Sequence, residues 1–267
     1  MSFSVSELAF HQRLGRLMAR VGQEAFWPAL AGFLREHMHF DTWVAMLFRP
    51  SEDPTVLADK GANVAESDLF HDYARGIYLL DPFYTFSMTA TEPGFYRLDE
   101  VAPEHFRETE YFRRYFSLNV VEDEVQFLVP MPGRGVLSFS LGSKRRFTDE
   151  EIGFCYLFLP WLLQLMRLAA EADTVLSQEA QASQEHVRSE EVKESLRQRG
   201  KPHLTEREVE VALLILGGHS TKGVARQLGI SIDTAKAHRR NMYAKLGVSN
   251  QAGLFLLMMA QESATGG

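Results

Sequence analysis

The residues with the most readily interpreted chemistry lie between positions 222 and 245, where cationic and short polar side chains recur at helical spacing. Long cationic side chains neutralise DNA phosphates and release counterions, and polar side chains can hydrogen-bond to base edges. The predicted DNA contacts are Lys222, Ser231, Thr234, Lys236, His238, Arg239, Arg240, Asn241 and Lys245. Thr234, Lys236 and Arg239 are the candidates for base recognition, whereas His238 could equally serve in packing.

These side chains need a rigid support, and the surrounding sequence predicts a bundle of four short helices. Thr205 and Glu208 fit a capping box that begins the first helix, and the pair Gly217 and Gly218 ends it. Ser231 is suited to cap the third helix, whose outer side carries the cations. The helices are expected at about 205–216, 221–228, 232–246 and 250–259. This layout is typical of a helix-turn-helix that places one helix in the DNA major groove.

The same segment carries a dense motif. Its elements are Leu204, Thr205, Arg207, Glu208, Gly218, Ser220, Lys222, Ala225, Leu228, Ile230, Ser231, Thr234, Lys236, His238, Asn241, Lys245, Leu246 and Val248. With these residues the segment resembles the LuxR-type DNA-binding domain, which also occurs in response regulators of the NarL class. The resemblance implies a transcription regulator. Ala212 stands where leucine is usual, Ala235 where valine is usual, and Gly223 where glutamate is common.

A second group of candidate residues surrounds Asp81, in a segment rich in aromatic side chains. A pocket that holds Asp81 together with one of the acidic residues at 122–124 would favour a ligand with a cationic amine. Aromatic rings could surround such a cation or stack on an organic ligand. The predicted ligand contacts are Trp43, Tyr73, Tyr78, Asp81, Phe83, Tyr84, Tyr96 and Glu124. In the alternative interpretation Asp81 begins a turn or helix, the acidic run is solvated, and the aromatic residues form core.

The segment YARGIYLLDP at 73–82 and the later stretch LVPMPGRGVLSFSLG are similar to the autoinducer-binding domain of quorum-sensing regulators. In that family an aspartate accepts a hydrogen bond from the ligand amide, and Asp81 occupies the matching position. Tyr73 lies one residue closer to the aspartate than the family's tyrosine, Tyr96 stands where tryptophan is expected, and the usual glycine before the hairpin is absent. The chain is therefore similar to divergent members called LuxR solos. These departures favour an amine or amino-acid-like ligand over an acyl-homoserine lactone.

Residues 1–170 are predicted to form an α+β domain, an α/β/α sandwich of the PAS or GAF type that senses the ligand. Runs of helix surround a central antiparallel sheet in this prediction, and such a sheet commonly leaves a cavity under its helices. The supporting elements are helices at 10–34 and 68–80, a buried strand at 43–48, a hairpin from 125–130 and 136–141, and a long apolar helix that begins at Asp149.

A polar helical connector is expected at 171–203, interrupted by Gly200, Lys201 and Pro202, before the helix-turn-helix domain at 204–267. Residues 200–267 contain eight Lys and Arg against five Asp and Glu, and the rest of the chain contains twenty against thirty. The net charges of the two parts are therefore +3 and −10, which sum to −7. A locally basic module in an acidic protein suits a regulator that binds selected DNA sites.

Other classes of protein fit the sequence poorly. The single cysteine, Cys155, excludes a disulfide framework and fits a reduced cytoplasm. No signal peptide is expected, and the interrupted apolar run at 152–170 predicts a buried or dimer-facing helix rather than a membrane span. His37 and His39 lack partners at metal-ligand spacing, and neither a catalytic motif nor a cofactor site is visible.

We therefore expect a cytoplasmic regulator without enzymatic activity or cofactor, which binds double-stranded DNA as a homodimer and responds to a small-molecule effector. The alternative is a regulator without a small ligand that is controlled by a protein partner or is constitutively active. A phosphorylated receiver domain is disfavoured, because the N-terminus lacks an early acidic pair after a first strand.

Overall fold

The computed structural model describes residues 8–50, 52–59, 73, 76–89, 92–117, 122–172, 193–194 and 196–259. Up to residue 172 these residues form an antiparallel sheet with helices on both faces, and from residue 206 onwards they form a bundle of helices. The predicted α/β/α sandwich followed by an all-α helix-turn-helix domain is therefore confirmed. Most of the helix predicted at 68–80 and most of the predicted connector lie outside the described residues.

The described elements are numbered in chain order. Helices α1 to α9 comprise Leu8–Met18, Phe26–Arg35, Pro82–Ser87, Leu98–Val101, Asp149–Ala172, Glu206–Leu216, Thr221–Leu228, Ile232–Leu246 and Gln251–Met259. Strands β1 to β5 comprise Thr42–Phe48, Thr55–Asp59, Gly94–Arg97, Asp123–Met131 and Gly135–Ser143. Two 3-10 helices lie at Ile77–Leu80 and Phe106–Glu108, and a π-helix lies at Phe112–Phe116.

The five strands are arranged in the order β2-β1-β5-β4-β3, and all neighbouring pairs are antiparallel. The predicted hairpin is confirmed as β4 and β5, in which Gln126 lies opposite Ser140. Gly135 begins β5 with a φ of +108°, and a Cβ atom there would lie 2.2 Å from the carbonyl oxygen of Phe48. The close approach of β1 to the start of β5 therefore requires glycine at this position.

Helices α1, α2 and α5 cover one face of the sheet. Alternate side chains of the strands, such as Phe127 and Phe139, point into this core, and Trp27 stacks on Phe139 with ring centroids 5.8 Å apart. Helix α5 is long and apolar enough to cross a membrane by length and composition alone. Half of its most apolar stretch is buried within the protein, where Phe158 and Met166 pack into the core. Its placement is that of a core helix, as expected from its interrupted apolar run.

Short helical segments cover the opposite face of the sheet and hold Asp81 in place. Asp81 is the N-cap of α3 and is followed by Pro82, which suits the first helical position. Its side chain accepts a hydrogen bond from the backbone N–H of Phe83 at 2.8 Å. This cap fixes the carboxyl group beside the face of the sheet on which Val44, Met46 and other alternate residues of β1 lie.

Helices α6 to α9 form the C-terminal bundle, and local signals set their ends. The capping box of Thr205 and Glu208 begins α6, while Ser220 and Ser231 accept backbone hydrogen bonds at the starts of α7 and α8. Gly229 ends α7 in the left-handed conformation with a φ of +63°. The predicted capping box at Thr205 and the predicted cap at Ser231 are confirmed. The buried interior includes the small side chains of Ala212 and Ala235, so the positions that depart from the LuxR pattern do face the core.

Candidate functional site

A cluster of buried carboxyl groups lies on the helix-covered face of the sheet, opposite the main core. Asp81 is 6% exposed and accepts hydrogen bonds from the Tyr73 hydroxyl at 2.6 Å and from the Phe83 backbone at 2.8 Å. Burial raises the pKa of Asp81, and these two hydrogen bonds act in the opposite direction. Two hydrogen bonds therefore fix the orientation of the Asp81 carboxyl group, which is poorly accessible to water.

Glu124, on β4, is the second buried carboxyl group and is 5% exposed. Its Oε1 atom accepts hydrogen bonds from Gln126 at 2.7 Å and from Ser140 at 2.5 Å. The Gln126 carbonyl oxygen in turn accepts from Ser138 at 2.6 Å. Burial and the nearby charge of Asp81 raise the pKa of Glu124 to about 8. Within the described part of the chain, none of the recorded ion pairs includes Asp81 or Glu124.

Tyrosine rings surround the two acids. Tyr73 stacks on Tyr115 with ring centroids 5.8 Å apart, and Tyr115 stacks on Tyr111 at 5.5 Å. Tyr78 and Tyr84 meet edge to face at 4.7 Å beside Tyr73. Burial, and next the charge of Asp81, raise the pKa of both Tyr73 and Tyr111, so these phenols stay neutral. We use the name acidic pocket for this group of packed side chains, which are Tyr73, Tyr78, Asp81, Tyr84, Tyr111, Tyr115, Glu124, Gln126, Ser138 and Ser140.

This arrangement suits the binding of an organic cation. A buried carboxyl group without a cationic partner is costly to ionise, and a bound ammonium group would remove that cost. The electronegative faces of aromatic rings also attract cations, more strongly when water is excluded. The amide and hydroxyl groups on β4 and β5 add donors and acceptors that could fix the orientation of a polar ligand.

The structure brings five of the eight predicted ligand residues into the acidic pocket, namely Tyr73, Tyr78, Asp81, Tyr84 and Glu124. Phe83 is close to Asp81 only through its backbone, because its side chain is buried in the apolar cluster that includes the C-terminal bundle.

Trp43 and Tyr96 lie away from the acidic pocket. Trp43 is on the opposite face of the sheet and packs against Phe139 at 5.9 Å, because alternate residues of β1 face opposite sides. Tyr96, on the edge strand β3, packs against Phe86 at 4.7 Å and donates its hydroxyl hydrogen to the Glu92 carbonyl oxygen. We therefore leave Trp43, Tyr96 and the side chain of Phe83 out of the proposed ligand site.

The two acidic neighbours of Glu124 have other roles. Asp123 accepts backbone hydrogen bonds from Glu124 and Phe147 and so holds the loop before α5. Glu122 is more exposed and lies 3.6 Å from Arg107. Of the acidic run, only Glu124 belongs to the pocket, because strand alternation turns it toward that face of the sheet.

Sequence reasoning missed five residues of the pocket. Gln126, Ser138 and Ser140 lie on the same face of the β4–β5 hairpin as Glu124. Their alternation with apolar residues in the sequences EVQF and LSFSL is a signal that could have identified them. Tyr111 is the N-cap residue of the π-helix and Tyr115 lies within it, and no comparable periodic signal marks them.

The predicted DNA contacts divide into an exposed set and an internally bonded set. Thr234, Lys236, Arg240 and Asn241 are exposed on α8, and Lys222 is exposed near the start of α7. Lys236 lies 3.1 Å from Asp233, its neighbour one helical turn away. An exposed cation with a single surface partner can exchange that partner for a phosphate at little cost.

Of the remaining predicted contacts, Ser231, Arg239 and Lys245 have structural partners. Ser231 accepts a hydrogen bond from the Thr234 backbone at 3.0 Å and caps α8, and His238 is partly buried. Arg239 donates to the Thr221 hydroxyl at 2.8 Å, which ties α8 to the start of α7.

Lys245 lies 2.7 Å from the buried carboxylate of Glu208 and also donates to the His203 carbonyl oxygen at 3.2 Å. The prediction that Lys245 contacts DNA is therefore not supported by its geometry, because its charge is engaged within the capping box of α6.

Comparison with known proteins gives consistent results. Residues 202–258 match the bacterial regulatory proteins of the luxR family. A protein of Aeromonas salmonicida, named as an HTH-type transcriptional regulator, is 26% identical over 183 residues, which cover 67% of this chain and 93% of that protein. The transcriptional regulatory protein MctR of Rhizobium johnstonii is 46% identical over 55 residues, 21% of this chain and 26% of MctR. The crystal structure of the VqsR LBD domain from Pseudomonas aeruginosa is 35% identical with a TM-score of 0.58, and the match covers 62% of this chain and 99% of that domain.

Proposed function

The chain belongs to the LuxR family of bacterial regulatory proteins, and we propose that a cationic small molecule controls this transcription regulator from the acidic pocket. The ligand class is an amine or amino-acid-like compound. The observation that carries this proposal is the pair of buried acids, Asp81 and Glu124, which lie close enough for the charge of one to raise the pKa of the other and have no cation in any recorded ion pair of the described residues.

A neutral lactone would require a different balance of groups. One aspartate that accepts a hydrogen bond is enough to anchor a neutral amide, and the rest of such a pocket would be apolar. A neutral ligand would leave the second acid protonated, whereas a cationic ligand would allow it to ionise and form an ion pair. With an ammonium group between them, both acids would ionise and each would gain a charge-assisted hydrogen bond.

The binding of a cation would also release a proton. At pH 7 a Glu124 carboxyl group with a pKa of about 8 is mostly protonated. A positive ligand lowers that pKa and expels the proton into solution. The affinity for an amine is therefore expected to increase as the pH rises toward 8, until the amine itself loses its charge.

Thermal denaturation with a panel of amines, amino acids and acyl-homoserine lactones tests the ligand class, since a ligand that binds the folded state raises the melting temperature. We expect members of the amine group to stabilise the wild-type protein and to lose this effect in Asp81→Asn and Glu124→Gln. Glu122→Gln is the matched control, because it removes an acidic charge two residues away on an exposed side chain.

Stabilisation by lactones alone would contradict the cationic ligand. A response to amines that survives both substitutions would contradict the proposed site. If no compound acts and the pocket variants are indistinguishable from wild type in DNA binding, control by a protein partner becomes the better hypothesis.

We further propose that the regulator acts as a cytoplasmic homodimer, with α5 at the dimer interface. The outer side of this helix exposes the apolar residues Tyr156, Leu157, Trp161 and Leu168, each at least 40% exposed. Contiguous exposed apolar side chains are typical of protein interfaces. Dimerisation would bring two recognition helices to half-sites one DNA turn apart, which a single module with a net charge of +3 needs for tight binding.

A further inference from the structure

A segment of the sensing domain, residues 103–108, lies against the turn between α6 and α7 of the DNA-binding domain. The backbone N–H of His105 donates to the carbonyl oxygen of Gly218 at 3.0 Å. Gly218 has a φ of +95°, and a Cβ atom there would lie 2.8 Å from the backbone of Phe106. The two backbones therefore approach each other to a distance that only glycine permits, so the two domains pack closely at this point.

Glu104 extends this contact to the start of α7. Its Oε2 atom lies beside Gly223, and the backbone N–H of Ser220, the N-cap residue of α7, helps to lower its pKa. The backbone N–H of Glu104 itself, and next the backbone N–H of Ser220 and the charges of His219 and Arg226, lower the pKa of Glu104. The carboxylate is thus held as an anion at the positive end of the helix dipole.

Gly223 leaves room for this carboxylate. A Cβ atom at position 223 would lie 3.3 Å from Oε2 of Glu104, closer than an ordinary van der Waals contact. The LuxR pattern commonly has glutamate at this position. A second carboxylate there would repel Glu104, so the glycine and the docked glutamate are compatible as a pair.

The same helix start is suited to a DNA phosphate. Helix α7 is the first helix of the helix-turn-helix, which crosses the DNA backbone in this motif. The free N–H groups at a helix start bind phosphate, and Thr221 and Lys222 lie beside them. A phosphate and the Glu104 carboxylate are both anions that need the same backbone donors.

We propose that Glu104 is an internal competitor of DNA: its carboxylate occupies the phosphate-binding start of α7 and holds the regulator in a closed form with low DNA affinity. This inference rests on the proposed function, because it supplies the step by which ligand binding would control DNA binding. Release of residues 103–108 from α7 frees the helix start for a phosphate.

The contact is structurally connected to the acidic pocket. The 3-10 helix Ile77–Leu80 ends directly before Asp81, and the Leu80 carbonyl oxygen lies 4.0 Å from a Cβ atom placed on Gly217. Ile77, Leu80, Phe83 and Phe106 belong to one continuous apolar cluster with the core of the DNA-binding domain. A ligand that displaces Asp81 therefore shifts the segment on which α6 rests.

The test compares Glu104→Gln with Glu108→Gln in the full-length protein. Both substitutions remove one negative charge from the same exposed segment, but Glu108 lies 3.5 Å from the His105 ring, whereas Oε2 of Glu104 lies beside Gly223 at the start of α7. The probe is a labelled DNA duplex of random sequence, about 40 base pairs long, in low salt, since non-specific binding reports phosphate contacts. A helix-terminus charge interaction at a surface corresponds to about a two- to fivefold change in affinity.

We expect Glu104→Gln to bind the duplex about two- to fivefold more tightly than wild type, and Glu108→Gln to match wild type. Amide hydrogen exchange at His105 should accelerate in Glu104→Gln alone, because this amide donates to Gly218 across the contact. This second measurement separates opening of the contact from a simple gain in positive charge.

Equal gains in the two variants, or unchanged exchange in Glu104→Gln, would overturn the internal competition while leaving DNA binding itself established. Tighter DNA binding and faster amide hydrogen exchange in Glu104→Gln would support the internal competition even if no amine shifts the melting temperature. In that case only the proposed ligand class would be refuted. Absence of any DNA binding by all three proteins would overturn both proposals.

Discussion

The acidic pocket makes a specific prediction about how stability depends on pH, and Glu124→Gln is the change that tests it. Burial and the charge of Asp81 raise the pKa of Glu124 from 4.5 to about 8. A carboxyl group whose pKa is raised by folding holds its proton more tightly in the folded state than in the unfolded chain. The stability of the folded state is therefore highest below pH 4.5 and falls as the pH rises toward 8.

The size of the effect follows from the two pKa values. Between them, each pH unit costs the folded state about 1.4 kcal/mol, so the rise from about pH 5 to about pH 7.5 costs ~3 kcal/mol. Glutamine has nearly the same shape and no proton to lose, and its carbonyl oxygen can still accept from Gln126 and Ser140. We expect the variant to match the wild type near pH 5 and to exceed it by about 3 kcal/mol near pH 7.5.

Urea denaturation followed by tryptophan fluorescence, repeated at several pH values, measures this difference. Groups that titrate alike in the two proteins cancel when their free energies of unfolding are subtracted. Glu122→Gln serves as the control and should follow the wild-type pH dependence, since its side chain is 46% exposed. A stability difference between Glu124→Gln and wild type that does not change with pH would refute the reasoning, because a neutral and an ionised Glu124 would then be equally well tolerated.

Three further variants test the assigned roles of surface and interface residues. Lys236→Ala with Arg240→Ala should weaken DNA binding and reduce its slope against the logarithm of salt concentration by about two, as measured by fluorescence anisotropy; an unchanged slope would remove both residues from the interface. Lys245→Ala should instead destabilise the protein by about 2 kcal/mol in urea denaturation, because it leaves the Glu208 carboxylate, which is 3% exposed, without its cation. Leu157→Glu should shift a dimer to monomer in analytical ultracentrifugation, and an unaltered dimer would exclude this face of α5 as the interface.

The C-terminal helices could be predicted from sequence because their ends are fixed by neighbouring residues. Thr205 and Glu208 cap each other within one helical turn, and Ser220 and Ser231 cap the following helices in the same way. The role of Lys245 could not be predicted from its neighbours in the sequence. Its partner Glu208 lies 37 residues earlier, and only the folded bundle brings the two side chains together.

The acidic pocket could be predicted only in part, because its full set of residues also depends on contacts between distant parts of the chain. The sequence indicates Asp81 and Glu124 because both are acidic, and this property does not depend on how the strands pair. The face on which Trp43 lies could not be predicted, because β1 is buried on both faces and its sequence TWVAMLF shows no alternation that would distinguish them. Its side depends on pairing with β5, a contact between residues about 100 positions apart.

The two proposals together limit how strong the contact of Glu104 can be. A ligand shifts a conformational equilibrium only by the difference between its affinities for the two forms, and such couplings are typically about 1–3 kcal/mol. The uncompensated acids of the pocket hold a free energy of about this size, which a cation can recover only where Asp81 and Glu124 both face it. An exposed carboxylate at a helix start contributes less than this, so ligand binding can open the contact. A deeply buried ion pair at the same place would keep the regulator closed whether or not the ligand were present.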